Sequence, residues 1–279
     1  MKTITAAAAI VSALVPATGW AQDAQYELVD YEDIEWGALN PARGDASPRA
    51  GDLWGDRTAD SASGFIVRFD EGFSSPPNIH NITYRGLVID GAVHNDDPDA
   101  AQMWLSPLSF WTQPAGEDHV TAAEGRVNIA YIEIDSGPYL VQPSDEAFDN
   151  GERPINVEAG NLVWLDGRDI EFLFSEGAEE GRGAKTAFLW SNDQTGERGS
   201  LVHLPNGFAG QIATGSGSFR AVTTGGVVAY SNPQMPQMTA LSQGSYFGSA
   251  GAASHQIACS EDKGCTVYIR TDSAFTLIQ

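Results

Sequence analysis

The chain has 279 residues, of which 42% are hydrophobic and 10% aromatic; this is enough for packed cores and excludes wholesale disorder. Its 15 Lys and Arg stand against 37 Asp and Glu, which gives a formal net charge of −22. This balance argues against nucleic acid and anionic membranes as partners, because both require cations that neutralise phosphate. We interpret the acidic surface as a source of solubility rather than of function.

The N-terminus has the composition of a secretory signal peptide. Lys2 precedes an apolar stretch from Ile4 to Pro16, and small residues lead up to Ala21. One early positive charge, a short apolar run and a small-residue cleavage site are typical of such a peptide. The run is shorter than the roughly 20 residues that span a bilayer. We therefore expect removal of residues 1–21 and a periplasmic or secreted protein that does not associate with membranes.

An internal repeat organises the rest of the chain. Gly64–Phe73 recurs as Gly199–Phe208, and Tyr84–Gly91 recurs as Phe219–Gly226, both at an offset of 135 residues. Further matches keep this offset to within one residue: Ser109-Phe110-Trp111 and His119 against Ser245-Tyr246-Phe247 and His255, and Trp54 against Trp190. A constant offset over separated matches predicts a duplication.

Both copies are dense in short runs of β-branched and aromatic residues separated by Gly, Pro, Asn and Asp. The predicted strands are Gly64–Phe69, Ile82–Ile89, Val127–Ile134, Ser200–Leu204, Phe219–Val228 and Thr266–Arg270. No long segment repeats apolar residues at helical spacing. The sequence therefore predicts an all-β protein of two tandem units, at residues 28–143 and 155–279, with a linker near residues 144–157.

Polar residues of the first copy are spaced like a pair of cupin motifs. Cupins carry His-x-His with a Glu four residues on and a later Gly, and then Pro-x-Gly followed by a His. Here Asn78-Ile79-His80 is followed by Tyr84 and Gly91, and Pro114-Ala115-Gly116 is followed by His119. The chain thus resembles the cupin superfamily.

Further cues narrow the resemblance within that superfamily. They are Tyr84-Arg85-Gly86, His94-Asn95-Asp96-Asp97 and the segment from Trp111 to His119. These segments resemble secreted bacterial bicupins of a domain-of-unknown-function family (DUF4437-like, RmlC-like). The resemblance implies two tandem double-stranded β-helix, or jelly-roll, barrels. It also leaves a homodimer open, since cupins often pair through strand edges.

In metal-binding cupins the two motifs supply three His and one Glu, and this chain departs from that set twice. Asn78 replaces the first His and Tyr84 replaces the Glu, which leaves His80 and His119 with Gln113 nearby. Side chains alternate along a strand, so residues 78, 80 and 84 are expected on one face, opposite His119. Neutral amide and phenol oxygens bind divalent ions less well than imidazole and carboxylate do.

Three interpretations of this cluster stay open. The first is a binding pocket for a small polar molecule, formed by Asn78, His80, Tyr84, Gln113 and His119. The second is a metal-dependent enzyme of the oxygenase or isomerase type, with Zn, Fe, Mn or Ni held by His80 and His119 and assisted by Asn78 and Tyr84. The third is a hydrogen-bonded polar cluster without a ligand.

The second copy lacks most of these residues. Ala213, Gly215 and Phe219 stand at the positions of Asn78, His80 and Tyr84, and His255 alone matches His119. We interpret this copy as structural, because a lone His does not make a metal site.

Two cysteines, Cys259 and Cys265, lie six residues apart in the second copy. In an oxidising compartment this spacing favours a disulfide that closes a hairpin loop. A metal site is the weaker interpretation, because two thiolates give too few ligands.

Overall fold

A computed structural model of the protein describes residues 24–167, 170 and 183–279. The predicted signal peptide lies outside the described residues. The described chain is all-β, as predicted, and its only helices are four short 3-10 turns at Tyr31–Asp33, Pro41–Ala46, Ser144–Glu146 and Ala159–Asn161. In the described ranges, no helix combines the length and the apolar character that crossing a membrane requires.

The strands of the described residues are β1 (Gln25–Val29), β2 (Gly37–Ala38), β3 (Arg49–Trp54), β4 (Ser63–Phe69), β5 (Asn78–His80), β6 (Tyr84–Asp90), β7 (Val93–Asp96), β8 (Phe110–Gln113), β9 (Val120–Ala123), β10 (Asn128–Ile134), β11 (Val141–Pro143), β12 (Ile155–Val157), β13 (Leu165–Asp166), β14 (Lys185–Ser191), β15 (Arg198–Leu204), β16 (Phe208–Thr214), β17 (Ser218–Gly225), β18 (Val228–Asn232), β19 (Met235–Leu241), β20 (Tyr246–Ala250), β21 (Ser254–Cys259), β22 (Cys265–Thr271) and β23 (Phe275–Ile278).

Two seven-stranded antiparallel sheets form the centre of the molecule. The first has the order β12-β8-β6-β10-β4-β3-β2, and the second has the order β1-β20-β17-β22-β15-β14-β13. The order β8-β6-β10-β4 corresponds to β20-β17-β22-β15, so the strands that match in sequence occupy matching places. Smaller sheets complete each half: β11-β5 and β7-β9 in the N-terminal half, and β19-β18-β21-β16-β23 in the C-terminal half. Each sheet has two free ends, so the predicted barrels are not closed.

The two large sheets exchange an edge strand. β1 precedes the N-terminal half but pairs with β20, with Tyr26 opposite Ser249. β12 precedes the C-terminal half but pairs with β8, with Asn156 opposite Trp111. Part of the segment predicted as a linker is therefore a strand of the first sheet.

Side-chain alternation along these strands divides the apolar residues among three clusters. In β4, Phe65 and Val67 point into the interior of the N-terminal half, and Ile66 points to a cluster shared by both halves. In β15, Leu201 joins that shared cluster, and Val202 belongs to the interior of the C-terminal half. The two seven-stranded sheets thus pack against each other, and each keeps its opposite face for its own interior.

Two sequence predictions in the C-terminal half have clear outcomes. The disulfide is confirmed: Cys259 ends β21, Cys265 begins β22, and their sulfurs are 2.04 Å apart. The predicted strand Phe219–Val228 is divided into β17 and β18. Gly226 lies between these strands with φ of +71°, a left-handed conformation that glycine adopts without strain.

Candidate functional site

A cavity of about 450 Å³ lies in the N-terminal half, bordered by strands from both motif regions and by the segment between β2 and β3. Most of its wall is apolar or aromatic and comes from Leu39, Pro48, Val67, Phe69, Phe73, Pro76, Pro77, Tyr84, Trp111, Ile132, Tyr139, Val141 and Pro143. The polar side chains of the wall belong to Asn40, Arg43, Ser75, Asn78, His80, Thr121, Gln142 and Ser144. This size, with a mostly apolar wall and a few polar groups, is typical of small-molecule sites.

His80 ends β5 and has both ring nitrogens in hydrogen bonds. Its Nδ1 lies 3.0 Å from the carbonyl oxygen of Leu140, and its Nε2 lies 3.1 Å from the hydroxyl oxygen of Tyr139. Because a carbonyl can only accept, Nδ1 carries the proton and Nε2 accepts from Tyr139. Burial, with the neighbouring His119, holds the pKa of His80 well below its usual range, and the Leu140 carbonyl opposes this shift only in part. His80 is therefore a neutral ring in a fixed tautomer.

His119 lies beside His80, with the two ring centroids 5.1 Å apart. Backbone hydrogen bonds run in both directions between Asn78 and His119 and hold the two motif regions together. The Nδ1 of His119 lies 3.3 Å from the carbonyl oxygen of Glu117, so it carries the proton. Its Nε2 is buried and has no partner among the described residues. Burial lowers the pKa of His119 to about 4, although the Glu117 carbonyl acts in the opposite direction.

Tyr84 begins β6, and its hydroxyl forms its hydrogen bond with a residue other than the two histidines. Its hydroxyl donates to Oδ1 of Asn95 at 2.9 Å. Asn95 donates in turn to Oε1 of Gln113 at 2.9 Å, and Gln113 donates to the carbonyl oxygen of Glu117 at 3.0 Å. Burial raises the pKa of Tyr84 above its usual value, and hydrogen bonds such as that to Asn95 offset this only in part. The phenol therefore stays protonated and acts as a donor.

The structure brings the five predicted pocket residues into one region, although not on the predicted elements. The prediction of one strand face for residues 78, 80 and 84 is wrong, because β5 ends at His80 and β6 begins at Tyr84. The ring centroid of Tyr84 nevertheless lies 5.0 Å from that of His80 and 6.3 Å from that of His119. Asn78, His80 and Tyr84 border the cavity, whereas Gln113 and His119 are buried outside its lining.

Sequence reasoning missed most of the cavity wall, including two residues that bear on its chemistry. Tyr139 lies between β10 and β11, and its ring stacks on His80 with a centroid distance of 4.4 Å. Arg43 lies in the 3-10 turn between β2 and β3, and its guanidinium is 5.5 Å from the ring centroid of Phe73. Both residues stand in irregular segments far from the motifs. The only local signal is Asn40, which caps the turn of Arg43 by accepting from the backbone N–H of Ala42.

The residues present do not fit a cupin metal centre. His80 has no free nitrogen, and the Tyr84 hydroxyl donates to Asn95. The amide nitrogen of Asn78 donates to the Ser75 hydroxyl and to the carbonyls of Pro76 and His119, which fixes the turn before β5. Of the predicted ligands, His119 alone offers a free nitrogen. Across residues 24–167, 170 and 183–279, no group of three or more His, Cys, Asp or Glu is placed to hold a metal ion.

Among the described residues of the C-terminal half, aromatic side chains pack around the position that corresponds to this site. His255 stacks on Phe219 with centroids 4.8 Å apart, and Phe247 lies 5.5 Å away. The hydroxyls of Tyr230 and Ser249 each lie 3.0 Å from a ring nitrogen of His255. Both nitrogens of this buried histidine are thus satisfied by the protein itself.

Solved structures with the same strand arrangement define the class of fold. A putative dioxygenase from Nostoc punctiforme is 17% identical over 88% of this chain and 82% of its own, with a TM-score of 0.65. A salicylate 1,2-dioxygenase from Pseudaminobacter salicylatoxidans is 12% identical over 95% and 92%, with a TM-score of 0.58. Oxalate decarboxylase from Bacillus subtilis is 12% identical over 90% and 77%, with a TM-score of 0.50. At these identities the similarity shows the fold alone, and it is the fold of the cupin superfamily.

The family follows from the sequence itself. The family model for the domain of unknown function DUF4437 matches residues 27–278, so the chain belongs to that family. The resemblance inferred from the spacing of residues 78 to 119 is confirmed at the level of the family, and the fold is consistent with the cupin superfamily. A search of the curated proteins gave no match.

Proposed function

We propose that this protein binds a small molecule with polar groups in the cavity of its N-terminal half. The observation that carries the proposal is the contrast between the two halves. Tyr84 borders a cavity of about 450 Å³, whereas its counterpart Phe219 is stacked on His255, whose two ring nitrogens are bonded to protein hydroxyls. A chain that fills one site with its own side chains and leaves the other open supports a ligand role for the open one.

The wall of the cavity is held in place before any ligand arrives. The Tyr139–His80 hydrogen bond and the Tyr84–Asn95 hydrogen bond fix three of its rings. Such preorganisation favours binding, because less side-chain freedom is lost when the ligand enters.

We further propose that the two copies, at residues 28–143 and 155–279, are two cupin units whose barrels are open. The matching strand orders of the two large sheets support this interpretation. Export on a signal peptide of residues 1–21 is part of the same proposal. The Cys259–Cys265 disulfide supports export, because disulfides persist in oxidising compartments.

The alternative of a metal-dependent enzyme has support from the fold alone. Two of the similar structures are described as dioxygenases and one as a decarboxylase. In this chain, however, the hydrogen bonds of His80 and Tyr84 compete with metal binding. We therefore favour binding over metal-dependent catalysis.

The binding proposal is tested by filling the cavity. Val141 in β11 borders it, and we expect Val141→Trp to block it. As probes we choose 1-naphthoate and its neutral analogue 1-naphthamide, whose two-ring bodies suit a cavity of about 450 Å³. At least one of them is expected to shift the backbone amide resonances of residues 78–84 and 139–143 in the wild type, and to bind Val141→Trp at least tenfold more weakly.

The matched control is Val163→Trp, since Val163 is 72% exposed and does not border the cavity. This variant should bind the probes as the wild type does. Unchanged binding by Val141→Trp, or shifts located elsewhere in the chain, would refute the assignment of the site.

A further inference from the structure

We infer that the ligand of this cavity is an organic monoanion with an apolar body, and that Arg43 pairs with its acidic group. This inference rests on the proposed binding function and names the class of ligand. It starts from the charge on the cavity wall. Arg43 is the one residue with a permanent charge among the described residues that border the cavity, and no Asp or Glu is among them. That composition contrasts with a chain whose net charge is −22.

The guanidinium of Arg43 is placed to receive a ligand. It lies 5.5 Å from the ring centroid of Phe73, which also borders the cavity, so an aromatic face holds the cation at the wall. No ion pair joins Arg43 to a carboxylate within the described part of the chain. A planar guanidinium presents paired N–H donors that match the two oxygens of a carboxylate.

The rest of the cavity wall determines the chemistry of the part of the ligand that lies away from Arg43. Val67, Phe69, Trp111 and Ile132 offer apolar surface to an aromatic or aliphatic body. The hydroxyl of Tyr139 donates to His80, so its oxygen can only accept a further hydrogen bond. The described lining contains no second cation, so a second acidic group would lack a charged partner. One negative charge is consequently the best match.

The test compares a charged and a neutral probe of one shape. We expect the wild type to bind 1-naphthoate at least tenfold more tightly than 1-naphthamide, because a hydrogen bond to a charged group is stronger than one to a neutral group. Titration calorimetry at about 0.15 M salt suits this comparison, because long-range repulsion from the acidic surface is then screened beyond roughly 8 Å. Arg43→Met should remove the preference for 1-naphthoate, and Arg43→Lys should keep part of it.

Arg126→Met is the matched control, because Arg126 is exposed and does not border the cavity. It removes the same charge and should leave the preference intact. If Arg43→Met keeps the preference, or if the wild type binds both probes equally while Val141→Trp binds neither, the ligand class is wrong and the binding function stands. If neither probe binds the wild type at millimolar concentration, the binding function and the ligand class both fail.

Discussion

At the residue scale, the partners of each histidine decide what its ring can do. His119 and His255 match in the repeat, yet Nε2 of His119 has no described partner and both nitrogens of His255 are satisfied. His80 is fixed by Tyr139, a residue that lies 59 positions away in the chain. Local spacing predicted that the rings of His80 and His119 come together, but it did not predict which of their nitrogens would be free.

The buried His255 predicts a pH dependence of stability. Burial lowers the pKa of His255 to about 4, from an ordinary value of 6.5. Between these two values the unfolded chain holds the extra proton, so the free energy of unfolding falls as pH decreases from 6.5 to 4. The unfolding free energy of the wild type should therefore fall relative to that of His255→Gln by about 1.4 kcal/mol for each unit by which the pH is lowered in this window.

Urea denaturation of both proteins at several pH values measures this difference, and comparing them cancels the contribution of the other histidines. A difference that stays constant from pH 6.5 to pH 4 would contradict a neutral, buried His255.

At the element scale, the pairing of β6 with β8 explains why glycine stands at position 86, in the segment Tyr84-Arg85-Gly86. Gly86 lies opposite Trp111, and a Cβ at Gly86 would overlap the six-membered ring of the indole. The matching pair in the C-terminal half is Ala221 opposite Phe247, in which a smaller aromatic ring leaves room for a methyl group. The Trp111 ring, which borders the cavity, therefore depends on glycine in the neighbouring strand.

Gly86→Ala should consequently destabilise the protein by about 1–3 kcal/mol through overpacking. At an ordinary strand position the same change would be favourable, by roughly 0.5–1 kcal/mol. The double variant Gly86→Ala/Trp111→Phe reproduces the pair found in the C-terminal half and should recover about 1 kcal/mol relative to the sum of the single changes. Unfolding free energies of the four proteins measure this coupling, and strictly additive effects would contradict it.

The sequence predicted buried central strands better than edge strands, and the difference has a physical reason. β4, β10, β15 and β22 were predicted to within two residues, because each is a mostly buried run that contains several apolar side chains. β1 and β12 were not predicted. They are short edge strands that contain polar residues, and they exist because a distant strand offers them a free edge.

At the scale of the whole molecule, the two halves meet through opposite charges at corresponding positions of β10 and β22, opposite Gly64 in β4 and Gly199 in β15. Glu133 in β10 and Arg270 in β22 are both buried and lie 3.8 Å apart, nitrogen to oxygen. The hydroxyls of Tyr131 and Tyr268, which lie opposite Ile66 and Leu201 in the same two strands, donate to Glu133 at 3.1 and 2.8 Å. The residues at these corresponding positions are therefore complementary, where identical residues would have placed like charges together.

The proposed export concerns the whole chain and is tested on it. When the full-length gene is expressed in a Gram-negative host, we expect protein from the periplasmic fraction to begin at Gln22 and to contain no titratable thiol after unfolding. The signal-peptide interpretation predicts that deleting residues 2–21 retains the protein in the cytoplasm. Recovery of full-length protein that still begins at Met1 in the cytoplasm would contradict it.

The amino-acid sequence alone predicted the all-β class, the DUF4437 family, the Cys259–Cys265 disulfide and the region in which the polar residues gather. These follow from periodicity, spacing and residue type, which are local or repeated along the chain. The open sheets, the crossing of β1 and β12 between the halves, and the presence of Tyr139 and Arg43 in the cavity wall became visible in the folded chain. The reason is that hydrogen-bond partners and cavities arise between segments far apart in the chain, and no local pattern records which of them meet.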